Sequence, residues 1–176
     1  ACLAPEKAPG LDSLSLAAAK GVTTMNDFEI NPGIGIGSLK LGQYRSEVIE
    51  LLGKPIEESE FEDYYFDNEK HLTLVWEYEN PDVTLNFWQE DDFKISLIMV
   101  DHAELNIWGH YIDQYDESEI VSAILQAGFE FKREVNAEGR IYIEVKDLGV
   151  DFAIEDDILI FASVMSKLAE EASFWA

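Results

Sequence analysis

Apolar and polar residues alternate with a period of two over several short segments, which is the pattern of a β-strand with one buried face. The clearest segment places Leu72, Leu74, Trp76 and Tyr78 on one face, opposite Thr73, Val75, Glu77 and Glu79. The same alternation recurs over residues 83–88, 141–146 and 150–155. These strands predict a sheet with one apolar face and one mixed face.

Two other segments have apolar residues at positions i, i+3 and i+4, the spacing that buries one side of an α-helix. These residues are Val48, Leu51 and Leu52 in the first helix, and Ile120, Ile124 and Leu125 in the second. Gly53 and Gly128 end the two helices, and Asp116 with Glu119 forms a capping box for the second. Because helices and strands occur in blocks with hairpin-length links, we predict an α+β fold with antiparallel strands and both helices packed on one face of the sheet.

The sequence indicates one structural unit written twice. In each unit Gln-Tyr precedes a helix, a glycine ends it, and Glu-Asp-Asp turns the chain between the last two strands. The matched features are residues 43–44 with 114–115, Gly53 with Gly128, and residues 90–92 with 155–157. We predict a single domain over residues 25–176, built as a tandem repeat of a helix plus an antiparallel strand meander, with repeats at about 36–104 and 110–168.

Residues 1–24 differ in composition from the rest of the chain, because they are rich in Ala, Pro, Ser and Leu and contain no aromatic residue. They also precede Met25, a natural start for translation. We predict a leader, a linker or an appended extension. Two alternatives stay open: a short docking helix capped by Asp12, and the end of a lipoprotein signal at Ala1 and Cys2.

The charge balance constrains the partner of this protein. The chain has 176 residues, with 12 Lys and Arg against 36 Asp and Glu, and a formal net charge of -24. Such a surface repels polyanions, so we exclude binding to DNA or RNA through phosphates and expect a basic protein as the partner. The alternative interpretation is that the acidity serves solubility or reflects a halophilic source.

The cysteine count and the hydropathy favour a location in the cytoplasm. Cys2 is the only cysteine, so the chain has no internal disulfide and a reducing compartment is favoured. No apolar run approaches the roughly 20 residues that span a bilayer, and we expect no association with a membrane.

Three features could carry chemistry, and each also has a purely structural interpretation. The glycine-rich segment 31–37 lacks the Lys-Ser/Thr of a phosphate loop, and we interpret it as an irregular entry to residues 38–41. His102 and Glu104, with Asp101 and His110 nearby, could form a metal cluster, but their spacing matches no zinc motif, which favours exposed polar positions. The Glu-Asp-Asp segments lack the ligand pattern of a calcium loop and are interpreted as hairpin turns. Since Cys2 lies in the leader and no carboxylate pair stands out, we predict no catalytic residue, cofactor or metal ion.

Residues 36–55, IGSLKLGQYRSEVIELLGKP, resemble the helix motif of small outer-membrane assembly lipoproteins, in which Gly, a capping residue, Arg, Glu-Val and Leu-Gly-x-Pro recur. Tandem copies of a helix plus a four-stranded meander also resemble the β-lactamase inhibitor protein, whose concave sheet grips its target enzyme. Small acidic immunity proteins of bacterial toxin systems are similar at this level. The sequence departs from the lipoprotein motif at Tyr44, where Ser or Thr is usual, and has no lipobox.

The mixed face of the sheet is the predicted binding surface, because aromatic anchors among acids suit a partner that presents Arg and Lys. The predicted partner-binding residues are Val75, Glu77, Glu79, Trp88, Glu90, Asp91, Asp92, Tyr142 and Glu144. Ile98 and Asp151 are predicted on the same face. We predict a non-catalytic immunity protein that neutralises a basic bacterial toxin, for example a nuclease. The alternatives are a periplasmic adaptor related to the assembly lipoproteins, or a face covered by the leader, by Phe174 and Trp175, or by a second subunit.

Overall fold

Two short helices and two β-sheets make up the described part of this computed structural model, which is residues 28–63, 70–101, 105–112, 117–145 and 148–167. The helices are α1 (Arg45–Leu52) and α2 (Glu117–Gln126). The first nine strands are β1 (Phe28–Asn31), β2 (Gly35–Ile36), β3 (Leu39–Lys40), β4 (Glu57–Asp63), β5 (His71–Glu79), β6 (Asp82–Trp88), β7 (Lys94–Asp101), β8 (Leu105–Ile107) and β9 (His110–Ile112). The last four are β10 (Lys132–Val135), β11 (Ile141–Val145), β12 (Val150–Glu155) and β13 (Ile158–Met165). The predicted leader, residues 1–24, lies outside the described residues.

The larger sheet has eight strands in the order β10-β11-β12-β13-β7-β6-β5-β4, and every neighbouring pair is antiparallel. Each helix is followed in the chain by four of these strands. β7 and β13 meet at the centre, where Ile98 lies opposite Val164. The predicted α+β class and the antiparallel sheet are therefore confirmed.

A second sheet of five strands, in the order β3-β2-β1-β8-β9, is a feature that the sequence did not predict. It contains a parallel pair, β1 with β8, in which Phe28 lies opposite Leu105. Its strands have only two to four residues, which is too short for a period-two alternation to be recognised. The hairpins β2–β3 and β8–β9 flank β1, and a helix comes next after each of them.

One buried core joins both sheets and both helices. A row of apolar side chains crosses the larger sheet through Trp76, Leu85, Ile98, Val164, Val150 and Val145. The helices add Val48, Ile120 and Ile124 to this core, and the smaller sheet adds Ile30 and Ile107. We call this side of the larger sheet the inner face and its other side the outer face. Burial of the inner face is the main source of stability, at about 25 cal/mol for each Å² of apolar surface removed from water.

The placement of Ile98 on the mixed face was wrong. Ile98 is fully buried on the inner face, opposite Leu85. The cause is a β-bulge, because Asn86 pairs with Leu97 while the next residue of β6 pairs with Ile95, which leaves Ser96 as an extra residue in β7. Ile95 and Ile98 therefore share a face although they are three residues apart. A strict period-two alternation along β7 assigns one of them to the wrong face.

Both predicted helix ends are confirmed at glycines. Gly53 and Gly128 each have a φ of 83°, in the left-handed region that glycine adopts without steric cost. The Gly53 N–H donates to the carbonyl of Ile49 at 2.9 Å, and the Gly128 N–H donates to a carbonyl three residues earlier at 3.0 Å. At the start of α1, the N–H of Tyr44 donates to the Glu47 carboxylate at 2.7 Å. The predicted start of the second helix, residues 114–116, lies outside the described residues.

The glycine-rich segment 31–37 contains the turn after β1 and strand β2, where the sequence indicated an irregular entry to residues 38–41. Gly33, Gly35 and Gly37 have φ values of 65°, 154° and 57°. A Cβ atom at Gly35 would lie 2.0 Å from the carbonyl oxygen of Leu39. Only glycine therefore permits the close approach of β2 to β3, and the glycines have a packing role in this hairpin.

Tyr78 makes the stability of the fold depend on pH under alkaline conditions. Its Oη donates to the carbonyl of Gly53 at 3.2 Å, and burial, with a smaller contribution from Glu58, raises its pKa to about 12. Because the unfolded tyrosine has a pKa of about 10, the fold favours the neutral side chain. The resulting stability is present below about pH 10 and is lost as the pH rises from about 10 to about 12.

We therefore expect Tyr78→Phe to lose on the order of 1 kcal/mol of unfolding free energy at neutral pH, through the missing hydrogen bond. Between about pH 9 and pH 12 the variant should lose less stability than the wild type, because it has no hydroxyl to titrate at this position. Urea unfolding at several pH values measures both effects. Parallel pH profiles for the two proteins would contradict the raised pKa of Tyr78.

Candidate functional site

The outer face of the larger sheet carries the charged and aromatic residues that the alternation placed there. Strand register arranges them in rows across the sheet, and the longest row contains Glu57, Glu77, Thr84, Met99, Ser163, Asp151, Glu144 and Lys132. Acidic residues lie in both halves of this row, which contains one basic residue. Because neighbouring strands lie about 4.8 Å apart, the seven spacings of this row span roughly 34 Å.

The predicted partner-binding residues separate into two groups on this face. Val75, Glu77 and Glu79 lie on β5, where Val75 is half-buried and both glutamates are exposed. Tyr142 and Glu144 lie on β11, and both are half-buried. Four strands separate β5 from β11, so the groups are about 24 Å apart. The structure therefore does not bring them into one site, and a partner that contacts both must extend across the sheet.

Trp88 lies on the outer face but presents little surface there. Its exposed fraction is 5%, and it packs with Met165 and the half-buried Leu97. Its backbone N–H donates to the Oγ of Ser96 at 3.2 Å, beside the bulge in β7. A side chain this buried has little area left for a partner, and the role of Trp88 in binding stays a prediction.

The acids of the first Glu-Asp-Asp turn make bonds within the chain. Glu90 pairs with Nδ1 of His71, and Oδ2 of Asp91 accepts a hydrogen bond from the Oγ of Ser166 at 3.1 Å. Asp92 ends the 3-10 turn between β6 and β7 with a φ of 56°. The second Glu-Asp-Asp segment joins β12 to β13. Both segments are turns, as predicted, and the first one is tied to neighbouring elements by its carboxylates.

A small pocket opens on the outer face at the β10 end of the sheet. It is lined by Lys132, Glu134, Tyr142, Ile143, Glu144, Asp151 and Phe161, and we call it the β10–β13 pocket. Tyr142 and Phe161 both pair with Ala153, which is fully buried between them and does not line the pocket.

Sequence reasoning placed Tyr142, Glu144 and Asp151 on this face but missed Lys132, Glu134, Ile143 and Phe161. The pocket combines residues of four strands, and their proximity depends on strand register, which alternation alone does not give.

The basic side chains identified on or beside the described outer face are bonded to acids of the same chain. The pairs are Lys94 with Asp92 at 3.3 Å, Lys132 with Glu134 at 2.8 Å, and Arg140 with Glu155 at 2.7 Å. In each pair the side-chain hydrogen bond is the largest cause that raises the pKa of the cation. Because these cations are already compensated, the exposed Glu77 and the half-buried Glu144 give the outer face a negative potential.

Within the described ranges, no group of three or more His, Cys, Asp or Glu residues is placed to hold a metal ion. Asp101 ends β7 and His110 begins β9. His102, Glu104 and Cys2 lie outside the described residues. The absence of a metal, a cofactor and a catalytic residue therefore stays a prediction.

The chain matches no family model, no curated protein and no solved structure. Neither of the two described helices has the length and apolar character needed to cross a membrane. The resemblance carried by residues 36–55 thus stays a prediction, and the function has to be argued from the geometry of the outer face.

Proposed function

We propose that this chain is a non-catalytic acidic protein that binds and neutralises a basic protein, as the cytoplasmic immunity protein of a bacterial toxin. The observation that carries this proposal is the outer face, a broad sheet surface with acidic residues in both halves and half-buried apolar side chains between them. A partner with a cationic active site or substrate groove would be covered by such a face. The mechanism needs no catalytic residue.

Charge and contact would have separate roles in this binding. The acids accelerate encounter with a basic partner and orient it, an effect that weakens as salt screens charges beyond about 8 Å. After encounter, the half-buried residues Val75, Met99, Tyr142 and Phe161 supply the apolar contact. Such contacts set the dissociation rate more than the association rate.

We also infer that the domain is a tandem repeat, in which each helix packs on the inner face and precedes its own four-stranded meander. The pairing of β7 with β13 supports this inference. Met99 lies opposite Ser163, and the pairs on either side of it are Ile98 with Val164 and Val100 with Ala162. A two-fold axis between Met99 and Ser163 would exchange β7 with β13. It would carry the Ile98–Val164 pair onto the Ala162–Val100 pair, which the observed register allows.

The bulges of the meanders agree with the same two-fold axis. The register shifts between Asn86 and Phe87 in one meander and between Ala153 and Ile154 in the other. In each meander the register shift lies the same number of residue pairs from the cross-strand row that contains Met99 and Ser163. The two-fold axis makes β5 equivalent to β11, so the two groups of predicted partner-binding residues lie on equivalent strands.

A periplasmic adaptor related to the assembly lipoproteins is the second candidate. The segment 36–55, which contains α1 and its glycine end, favours it, because this segment carries the resemblance to those proteins. The position of the gene distinguishes the candidates, since an immunity gene lies beside the gene for its toxin.

Charge reversal on the outer face tests the proposed function. A pull-down from the source organism should recover a basic protein, and stopped-flow measurement should give an association rate that falls steeply with ionic strength. We expect Glu77→Lys with Glu79→Lys to slow association by about tenfold at low salt, with little change in melting temperature.

The matched control is Glu50→Lys with Glu119→Lys, which makes the same charge change at exposed positions of α1 and α2. It should slow association clearly less, because these helices lie on the other side of the sheet. Recovery of only acidic partners, or equal slowing by both double variants, would reject the outer face as the binding surface. Co-expression that fails to protect cells from the product of the neighbouring gene would reject the immunity role.

A further inference from the structure

The edge strand β10 lacks several features that keep sheet edges from pairing. Its register with β11 is regular, without a bulge, and it contains no proline. All four of its residues are exposed, and among the described strands it pairs with β11 alone. The other edge strand, β4, is mostly acidic, so like charges repel a second copy there. We propose that β10 pairs with β10 of a second copy of this chain, in an antiparallel homodimer about a two-fold axis.

The hairpin between β10 and β11 shows which backbone groups of β10 point to the open edge. The Asn136 N–H donates to the carbonyl of Arg140 at 3.0 Å, which makes these two residues a hydrogen-bonded pair. Hydrogen-bonded and non-bonded pairs alternate along an antiparallel ladder, so Glu134, two positions earlier, also bonds to β11. The backbone N–H and C=O groups of Arg133 and Val135 therefore point away from β11. They are the donors and acceptors that another strand would use.

Charge selects the register of this pairing. β10 presents one cation and one anion to the outer face, Lys132 and Glu134, whose side chains are bonded at 2.8 Å. An antiparallel pair centred on Arg133 places Lys132 of each copy opposite Glu134 of the other, so the four charges alternate in a square. Shifting one strand by two residues in either direction puts two lysines or two glutamates opposite each other, which is unfavourable.

The same register suits the inner side of β10. It places Phe131, which packs against the core, opposite Val135 of the second copy. Val135 is 52% exposed in the single chain, and this contact would cover it. The two Arg133 side chains meet at the axis, but each is held by the Glu117 carboxylate of its own chain, with Nη2 donating to Oε2 at 3.2 Å. Apolar contacts and paired charges therefore favour one arrangement, in which the outer faces of both copies form one continuous surface.

The interface is short, so we expect a weak and reversible dimer. Buried areas below about 1,200 Å² are typical of transient complexes. The net charge of -24 on each copy opposes association, but salt at about 0.15 M screens charges that lie more than about 8 Å apart. Side chains directly opposite each other on paired strands are only about 5 Å apart, so their attraction is screened less. The pairing does not depend on the proposed binding of a basic protein.

Sedimentation velocity of the full chain in about 0.15 M salt, at concentrations from about 10 μM to about 1 mM, tests the proposal. We expect the fraction of dimer to rise with concentration. Over the same range, hydrogen exchange should slow at the amides of Arg133 and Val135 and stay constant at those of Lys132 and Glu134, which bond within the chain. A chain that stays monomeric at about 1 mM, or a dimer with unchanged exchange at Arg133 and Val135, would overturn the proposal.

A charge swap tests the register. Glu134→Lys places lysines opposite each other and should weaken the dimer by at least about tenfold, although it lowers the net negative charge. Adding Lys132→Glu restores the alternation with the signs exchanged, and should return the dissociation constant to within about threefold of the wild type. Glu60→Lys is the matched control, because it makes the same charge change at an exposed position of β4 and should not weaken the dimer. Weakening by Glu60→Lys, or a double variant that does not recover, would reject the register and the proposal with it.

Val135→Pro tests the backbone pairing separately. Proline removes an N–H that points to the open edge, and edge strands tolerate it at such positions. The hairpin with β11 should form as before, so we expect loss of the dimer with little change in melting temperature. Val135→Ala, which keeps the N–H, is the control and should weaken the dimer less. If Val135→Pro does not fold, the charge swap still decides the result, whereas a dimer that survives this change would associate through another surface and overturn the proposal.

Discussion

Replacing Phe152 by alanine is expected to lower the free energy of unfolding by about 3–5 kcal/mol. Phe152 is fully buried on the inner face, between Ile143 and Ala162 of the neighbouring strands. The backbone ladder holds these neighbours in place, so the cavity left by the ring cannot close by collapse of the strands. Urea unfolding followed by circular dichroism measures the loss.

Phe61→Ala is the matched control for this prediction. It removes the same side chain from the edge strand β4, where Phe61 lies on the outer face and is 56% exposed. We expect a loss below about 1 kcal/mol, since little packing disappears with an exposed ring. A similar loss at both positions would contradict the assignment of inner and outer faces.

The larger sheet was predictable where strands are long and half-buried. β5 has nine residues, and its alternation assigned Trp76 and Tyr78 to the core and Glu77 and Glu79 to the outer face. The helix ends were predictable for a different reason, because the backbone has a positive φ at Gly53 and Gly128 and glycine adopts a positive φ without steric cost. In both cases the signal lies within a few consecutive residues.

The two Glu-Asp-Asp segments show where local similarity fails to give the same structure. Five residues, from Gln89 to Phe93, separate β6 from β7, whereas only Asp156 and Asp157 separate β12 from β13. The left-handed residues are Asp92 and Phe93 in the first turn, and both aspartates in the second. The same tripeptide therefore lies at different positions relative to the strand ends, because the surrounding strands decide where pairing resumes.

The β10–β13 pocket was only partly predictable, since it depends on pairing between strands. Alternation placed Tyr142 and Glu144 on the correct face, but the contribution of Phe161 follows from its pairing with Ala153. The bulge in that strand pair adds a shift that the sequence does not reveal. A binding site on a sheet face is thus harder to predict than the sheet.

Protection of the sheet edges explains part of the acidity of this chain but not all of it. β4 is an edge strand with the sequence EESEFED, and charges on an edge prevent pairing with other molecules. The edge strand β10 is exposed along its length and carries Lys132, Arg133 and Glu134. Glu144 and Asp151 lie instead on strands that are paired on both sides. Edge protection therefore does not account for these two acids.

Gly35→Ala is expected to lower the free energy of unfolding by about 3 kcal/mol or more. The new methyl group would meet the carbonyl oxygen of Leu39 at 2.0 Å, and a backbone atom cannot move aside as a flexible side chain can. Overpacking typically costs about 1–3 kcal/mol, and the positive φ of 154° at this residue adds backbone strain. Urea unfolding measures the total effect.

Gly33→Ala separates the strain from the clash, because Gly33 has a φ of 65° in the same segment and a Cβ atom there would have nothing within 4 Å. This control should lose only about 1–2 kcal/mol, the cost of a left-handed alanine. The difference between the two variants reports the contact of Gly35 with β3. Because β2 also borders β1 in the smaller sheet, amide hydrogen exchange in the Gly35→Ala variant should increase across β1, β2 and β3 and little in β11 and β12. Equal losses of stability in the two variants would mean that β2 and β3 do not approach as closely as this hairpin requires.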